Sequence, residues 1–183
     1  MSDDSTIPRT TPGSTGDDRA PVAAPAARTL LALVRISIGW IFLWAFLDKL
    51  LGLGRSTPAE GAWLTGGSPT EGYLASVEGP FAPVFNAMSG AAWADVLFML
   101  GLGAIGLSLV LGVGERIAAA TGALLLMFMY AASLPLETNP FMDDYIVQSL
   151  ALGALACARS GETLGLGRWW ASTGLVRRFP VLR

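Results

Sequence analysis

Two of the charged pairs in this largely apolar chain, Asp48-Lys49 and Asp143-Asp144, fall at the ends of apolar runs on the same side. A carboxylate withdrawn from water has its pKa raised towards neutrality and can relay protons, while a neighbouring lysine can bind an anion or a quinone carbonyl. Asp48, Lys49, Asp143 and Asp144 are therefore the candidate catalytic residues. Trp44, Trp63, Asn139 and Gln148 are the candidate cofactor-binding residues, because an organic cofactor needs an apolar slot with a few hydrogen-bonding groups. The competing account is plainer: the charges end helices at a membrane interface, where charge is cheap, and Gln148 holds two helices together. On that interfacial placement, replacing Asp48 or Lys49 is expected to leave stability nearly intact.

Composition narrows the chemistry further. The chain has 183 residues, 52% hydrophobic and only 14% charged, against about a quarter charged in ordinary soluble domains. It has no histidine and one cysteine, Cys157, so haem ligation, zinc sites and a Cys-x-x-Cys redox pair within one subunit are not expected. A net charge of -2 and no long basic run give no electrostatic footprint for nucleic acid. Electron-transfer chemistry would have to use a bound organic cofactor or a partner protein.

The elements that must position these residues follow from the apolar runs. Residues 30–51 are uncharged from Ile36 to Leu47 and long enough to cross a hydrocarbon layer of ~30 Å. Three further spans are expected over residues 91–111, 117–134 and 140–158, giving an all-α integral membrane four-helix bundle with the bilayer as its first partner. In the last span Asn139 would be the N-cap and Pro140 the first helical residue, for a length of ~28 Å. Residues 1–28, rich in Ser, Thr, Pro, Asp and Ala, read as a disordered tail rather than a signal peptide. Residues 52–90 form a Gly- and Pro-rich insert. In it, TPAE at Thr57–Glu60 and SPTE at Ser68–Glu71 each read as a capping box opening a short helix. Phe81, Val84, Phe85 and Met88 are spaced for a turn or two lying on an apolar surface.

Nine arginines, Arg9, Arg19, Arg28, Arg116, Arg159, Arg168, Arg177, Arg178 and Arg183, fall on the side of the termini, leaving only Lys49 and Arg55 on the other. The expectation is a multi-pass cell-membrane protein with both termini cytoplasmic and the insert outside. Trp169-Trp170, flanked by arginines in the tail 159–183, reads as an inner-leaflet anchor attracted to anionic lipid. Arg35, a turn inside the first span, is expected to snorkel to the headgroups; a bundle-facing partner for a cofactor or lipid headgroup is the sharper alternative. Ala104, Ser108 and Gly112 form a small-xxx-small stripe for close helix approach. Gly101, Gly103 and Gly106 match G-x-G-x-x-G, but they sit inside an apolar helix and carry no dinucleotide signal. Cys157 reads as a small apolar filler.

RISIGWIFLWAFLDKLLGLG from Arg35, the TPAE and GGSPTEG stretches, NPFMDD from Asn139 and GLGRWW from Gly165 together resemble the actinobacterial branch of the DoxX/DoxD membrane-protein family. The resemblance covers the chain from Leu30 to Arg183. It implies a four-helix membrane bundle and, from the DoxD members, the membrane subunit of a thiosulfate:quinone oxidoreductase, with quinone as cofactor and a small redox subunit as partner. A homo-oligomer is also compatible with it. The polar residues suit quinone better than thiosulfate, since a dianion at the outer face would meet Lys49 and Arg55 against Asp48, Glu60, Glu71, Glu78, Asp95, Glu137, Asp143 and Asp144. The alternative function is a non-catalytic membrane scaffold or small-solute transporter, although no interrupted helix or repeat of the transporter kind is visible.

Overall fold

A computed structural model describes residues 25–137, 139 and 141–182, and these are helical, turn or irregular, with no strand. The long helices are α1 (Pro25–Leu51), α4 (Ala92–Leu111), α5 (Glu115–Ala132) and α6 (Asp144–Ala158). The insert carries α2 (Glu71–Ser76) and α3 (Ala82–Asn86), and the tail carries α7 (Gly167–Ser172) and α8 (Gly174–Arg178). Helices α1, α4 and α5 are long and apolar enough to cross a membrane, with mean hydropathies of 2.1, 2.1 and 1.3.

Helix ends depart from expectation in two places. α1 begins at Pro25, so the last four residues of the stretch expected to be disordered are helical; residues 1–24 lie outside the described residues. α6 begins at Asp144 with Asp143 as its N-cap, so its 15 residues extend about 22 Å rather than the expected length. Asn139 does not cap it: its Oδ1 instead accepts from the Phe141 and Met142 N–H groups, each at 3.1 Å, in a turn of its own.

α1 lies along α4, α5 along α6, α4 meets α5, and α6 also touches α1. Ile38 and Phe42 of α1, Leu102, Ile105 and Leu109 of α4, Ala118 and Leu126 of α5, and Leu152 and Leu155 of α6 share one buried apolar cluster. The α1–α4 contact is nearly backbone to backbone. A Cβ at Gly106 would lie 2.6 Å from the Leu43 nitrogen, and one at Gly39 2.8 Å from the Leu109 Cβ. The small residues at the crossing are thus Gly39 and Gly106, not the expected stripe, whose Ala104 is exposed. α4 stops at Gly112, whose left-handed φ of 71° lets the Val113 N–H reach back to the Ser108 carbonyl and so satisfy a last-turn acceptor.

Apolar side chains also cover the outside. Leu30, Trp40, Ile41, Leu97, Leu100, Phe128 and Leu150 are each more than half exposed, far more apolar surface than a water-facing helix set tolerates. This exterior is compatible with a lipid bilayer.

The insert has its own small core. Leu74, Val77 and Phe85 close on Ala94 at the start of α4 and Ala132 at the end of α5. Of the two expected capping boxes, the second does not cap its helix: α2 starts after Thr70 without a side-chain cap, and the Ser68 Oγ accepts from the Glu71 N–H at 3.1 Å across the preceding turn. The first gives two 3-10 turns, Ala59–Gly61 and Trp63–Thr65, without a side-chain cap. In the tail, the turn Pro180–Leu182 rests on α5, and the Trp170 Nε1 donates to the Leu182 carbonyl at 2.6 Å.

Candidate functional site

A cleft opens where the insert meets the end of α5 and the start of α6, with a volume of about 580 Å³. α2 and the residues after it contribute Tyr73, Ser76, Val77 and Glu78; the end of α5 and its loop contribute Ala132 to Glu137; Asn139, Met142 and Asp143 close the remaining side. One wall is fixed by Gly79, at a φ of 84°, where a Cβ would fall 2.2 Å from the Leu134 carbonyl oxygen. Only a residue without a side chain lets the insert lie directly on that loop.

The donor set is uneven. Apolar groups from Val77, Ala132, Leu134, Leu136 and Met142 alternate with the hydroxyls of Tyr73, Ser76 and Ser133, and with the carboxylates of Glu78, Glu137 and Asp143. Among the described residues no lysine or arginine lines it. The Asn139 carbonyl oxygen is committed to two backbone N–H groups, so this residue offers a ligand its amide N–H donors. Asp143 accepts from the Asp144 N–H at the start of α6, where the helix dipole favours a negative charge.

Of the eight candidate residues, the structure brings Asn139 and Asp143 together in this cleft. Asp144 is exposed beside it in the first turn of α6. Gln148 is half-buried one turn further along. Trp44 is exposed on the outer side of α1, tilted 37° against Trp40 with ring centroids 6.0 Å apart, and Trp63 sits half-buried in its 3-10 turn. None of these four lines the cleft.

Asp48 and Lys49 also stand apart from it. Asp48 is 1% exposed, and its carboxylate accepts from the Arg55 N–H at 3.2 Å, the Ser56 N–H at 3.0 Å and the Ser56 Oγ at 2.6 Å. A carboxylate at a helix C-terminus faces the unfavourable end of the dipole, and here three donors from the following loop offset that. Asp48 is therefore a clamp that folds residues 52–57 back over the end of α1. Lys49 beside it is half-buried.

The same construction recurs at two further carboxylates. Asp95 in the first turn of α4 accepts from the Ser68 Oγ at 2.9 Å, the Thr70 N–H at 3.1 Å and the Thr70 Oγ1 at 2.6 Å, which ties the insert to α4. Glu115, at the start of α5, accepts from the Ser160 Oγ and from the Gly161 N–H at 2.9 Å, which ties the end of α6 to α5. Glu115 was not distinguished by the sequence, and its signal is only its place at a helix start.

Arg35 neither snorkels nor points at a cleft. It is 0% exposed, and its guanidinium donates to the carbonyls of Leu109, Val110 (3.2 Å), Thr163 (3.2 Å) and Leu164 (3.0 Å). Its Nε has no hydrogen-bond partner among the described residues. The planar fork thus joins the last-turn carbonyls of α4 to the tail, a task that a lysine's single ammonium does not match. The glycines of the tail make room for it: a Cβ at Gly165 would lie 3.0 Å from Nη2.

Among the described residues no group of three Asp, Glu, Cys or His side chains is placed to hold a metal ion. The chain matches no protein-family model, and no curated protein and no solved structure is significantly similar to it.

Proposed function

We propose that the chain is the membrane subunit of a quinone-linked oxidoreductase of the DoxX type, a four-helix membrane bundle with both termini cytoplasmic and the insert outside. The observation that carries this reading is the cleft between the insert, α5 and α6: apolar walls, neutral hydrogen-bond donors and, among the described residues, three carboxylates and no cation. Its volume falls within the range of roughly 300–1,000 Å³ typical of small-molecule sites. A neutral ring bearing carbonyls suits that lining, and a thiosulfate dianion does not. A quinone bound there would supply a two-electron, two-proton acceptor. The Asn139 amide and the Tyr73 hydroxyl orient its carbonyl oxygens by donating to them, and Asp143, Glu78 and Glu137 pass protons at their carboxylate oxygens. Electrons come from a partner redox subunit, at which any thiosulfate would be oxidised, two thiosulfates giving one tetrathionate and two electrons.

A second reading, a membrane scaffold or small-solute transporter, draws support from the use of Asp48, Asp95, Glu115 and Arg35 to hold loops. Photolabelling of the protein in nanodiscs with an azido-quinone separates the two. The quinone reading expects label on residues 73–78 and 132–143, displaced by unlabelled quinone and reduced in Asn139→Leu. Label that is not displaced, or that spreads over the lipid-facing helices, favours the scaffold.

A further inference from the structure

We propose that a second cleft, at the opposite end of the long helices, binds a phosphate group, presented either by an anionic lipid headgroup or by free phosphate. The cleft has a volume of about 530 Å³ and lies where the first turns of α1 meet the end of α6 and the tail. Arg28 comes from α1, Arg159 from the end of α6 and Arg168 from α7, with Leu31 and Ala158 as apolar lining and Glu162 as the one carboxylate among the described residues. Three guanidiniums against one carboxylate leave two positive charges in excess around a space of ligand size. The first cleft, by contrast, has three carboxylates and no cation among the described residues.

Two features argue that these arginines serve more than solubility. Arg159 occupies the left-handed position that ends α6, with φ 52° and ψ 47°, where glycine is the favoured residue. Helix-dipole compensation accounts for one cation at the end of α6, not for three drawn from separate elements around a common space. Arg168 is held by its Nε, which donates to the Glu162 carbonyl at 3.0 Å, so its two terminal nitrogens are the donors left to grip an anion as a fork. The neighbouring Ser160 hydroxyl is already committed to Glu115, so the arginines provide the recognition. The inference is independent of the quinone reading, because it concerns the other end of the molecule and is tested without redox activity.

The test uses the full chain in nanodiscs of phosphatidylcholine alone or with a minor share of phosphatidylglycerol, read by native mass spectrometry for retained lipid and by calorimetry for inorganic phosphate. Wild type should retain phosphatidylglycerol or bind phosphate, and each of Arg28→Gln, Arg159→Gly and Arg168→Gln should weaken that binding about fivefold or more. Arg159→Gly is the decisive variant, because it removes a cation while relieving the left-handed backbone, so the fold is kept or strengthened. Arg177→Gln, outside the cleft, should match wild type. Retained lipid without phosphate binding assigns the site to a headgroup; phosphate binding that displaces lipid assigns it to the free anion. Lipid retention that is equal in wild type and Arg159→Gly, with no phosphate binding, overturns the proposal.

Discussion

Replacing Arg35 should unfasten the tail and weaken the whole helix assembly. Its guanidinium serves four carbonyls, and hydrogen bonds to a charged group contribute about 1.5–3 kcal/mol each, a gross stabilisation of roughly 6–12 kcal/mol. Burying the guanidinium costs several kcal/mol in the other direction, and Arg35→Met removes that cost together with the bonds. The Leu109 carbonyl then keeps only the Gly112 N–H, at 3.3 Å, and the Val110 carbonyl, in the last turn of α4, loses its guanidinium donor. The net loss should be about 3–5 kcal/mol, the difference between the lost charged hydrogen bonds and the relieved burial cost. Arg35→Lys keeps the charge but presents one ammonium to two separate pairs of carbonyls, and should recover less than half of it. Equilibrium unfolding in mild detergent, followed by tryptophan fluorescence, measures the first effect. Amide exchange of Leu166, whose N–H donates to the Leu111 carbonyl at 2.8 Å, measures the second, and it should quicken at least tenfold in Arg35→Met. An Arg35→Met protein with an unchanged unfolding midpoint and an unchanged Leu166 amide would refute the assignment of Arg35 as the tie between α4 and the tail.

Other substitutions test the remaining contacts. Asp48→Ala should cost ~1–2 kcal/mol and expose the Arg55 and Ser56 amides to rapid exchange, since water can re-satisfy donors this close to the surface; Asp48→Asn, which keeps the shape, should cost less. Asp95→Ala should speed exchange across residues 68–76 while leaving the Arg55 and Ser56 amides as they are, because it releases only the Ser68 and Thr70 contacts. Gly106→Ala should destabilise by ~1–3 kcal/mol, as its Cβ would have to push α1 away from α4, and cross-linking between the two helices should fall accordingly.

Apolar runs set the helix positions, because crossing a hydrocarbon layer is a demand on local composition alone, and the runs at 30–51, 91–111 and 117–134 return as α1, α4 and α5. The end of α4 also follows from local backbone chemistry, since Gly112 takes the left-handed position that closes the helix. The start of α6 was not legible, since Asn139 and Asp143 are both good caps by residue type, and the contacts around the turn decided between them. Which glycines meet was equally hidden. Gly39, Gly106 and the Ala104–Gly112 stripe satisfy one local rule, and only the rotation of α1 against α4 selects the pair that touches.

The charged residues divide along that line. Their depth along the chain placed Asp48, Asp95, Asp143 and Asp144 at one end of the helices, and Asn139 and Asp143 do meet there in a cleft. The sequence could not say that Asp48, Asp95, Glu115 and Arg35 each close on backbone or hydroxyl groups of another segment, 7 to 129 residues away. A buried charge takes whatever partner the tertiary fold brings within about 3 Å, and that partner's distance along the chain leaves no mark on local pattern.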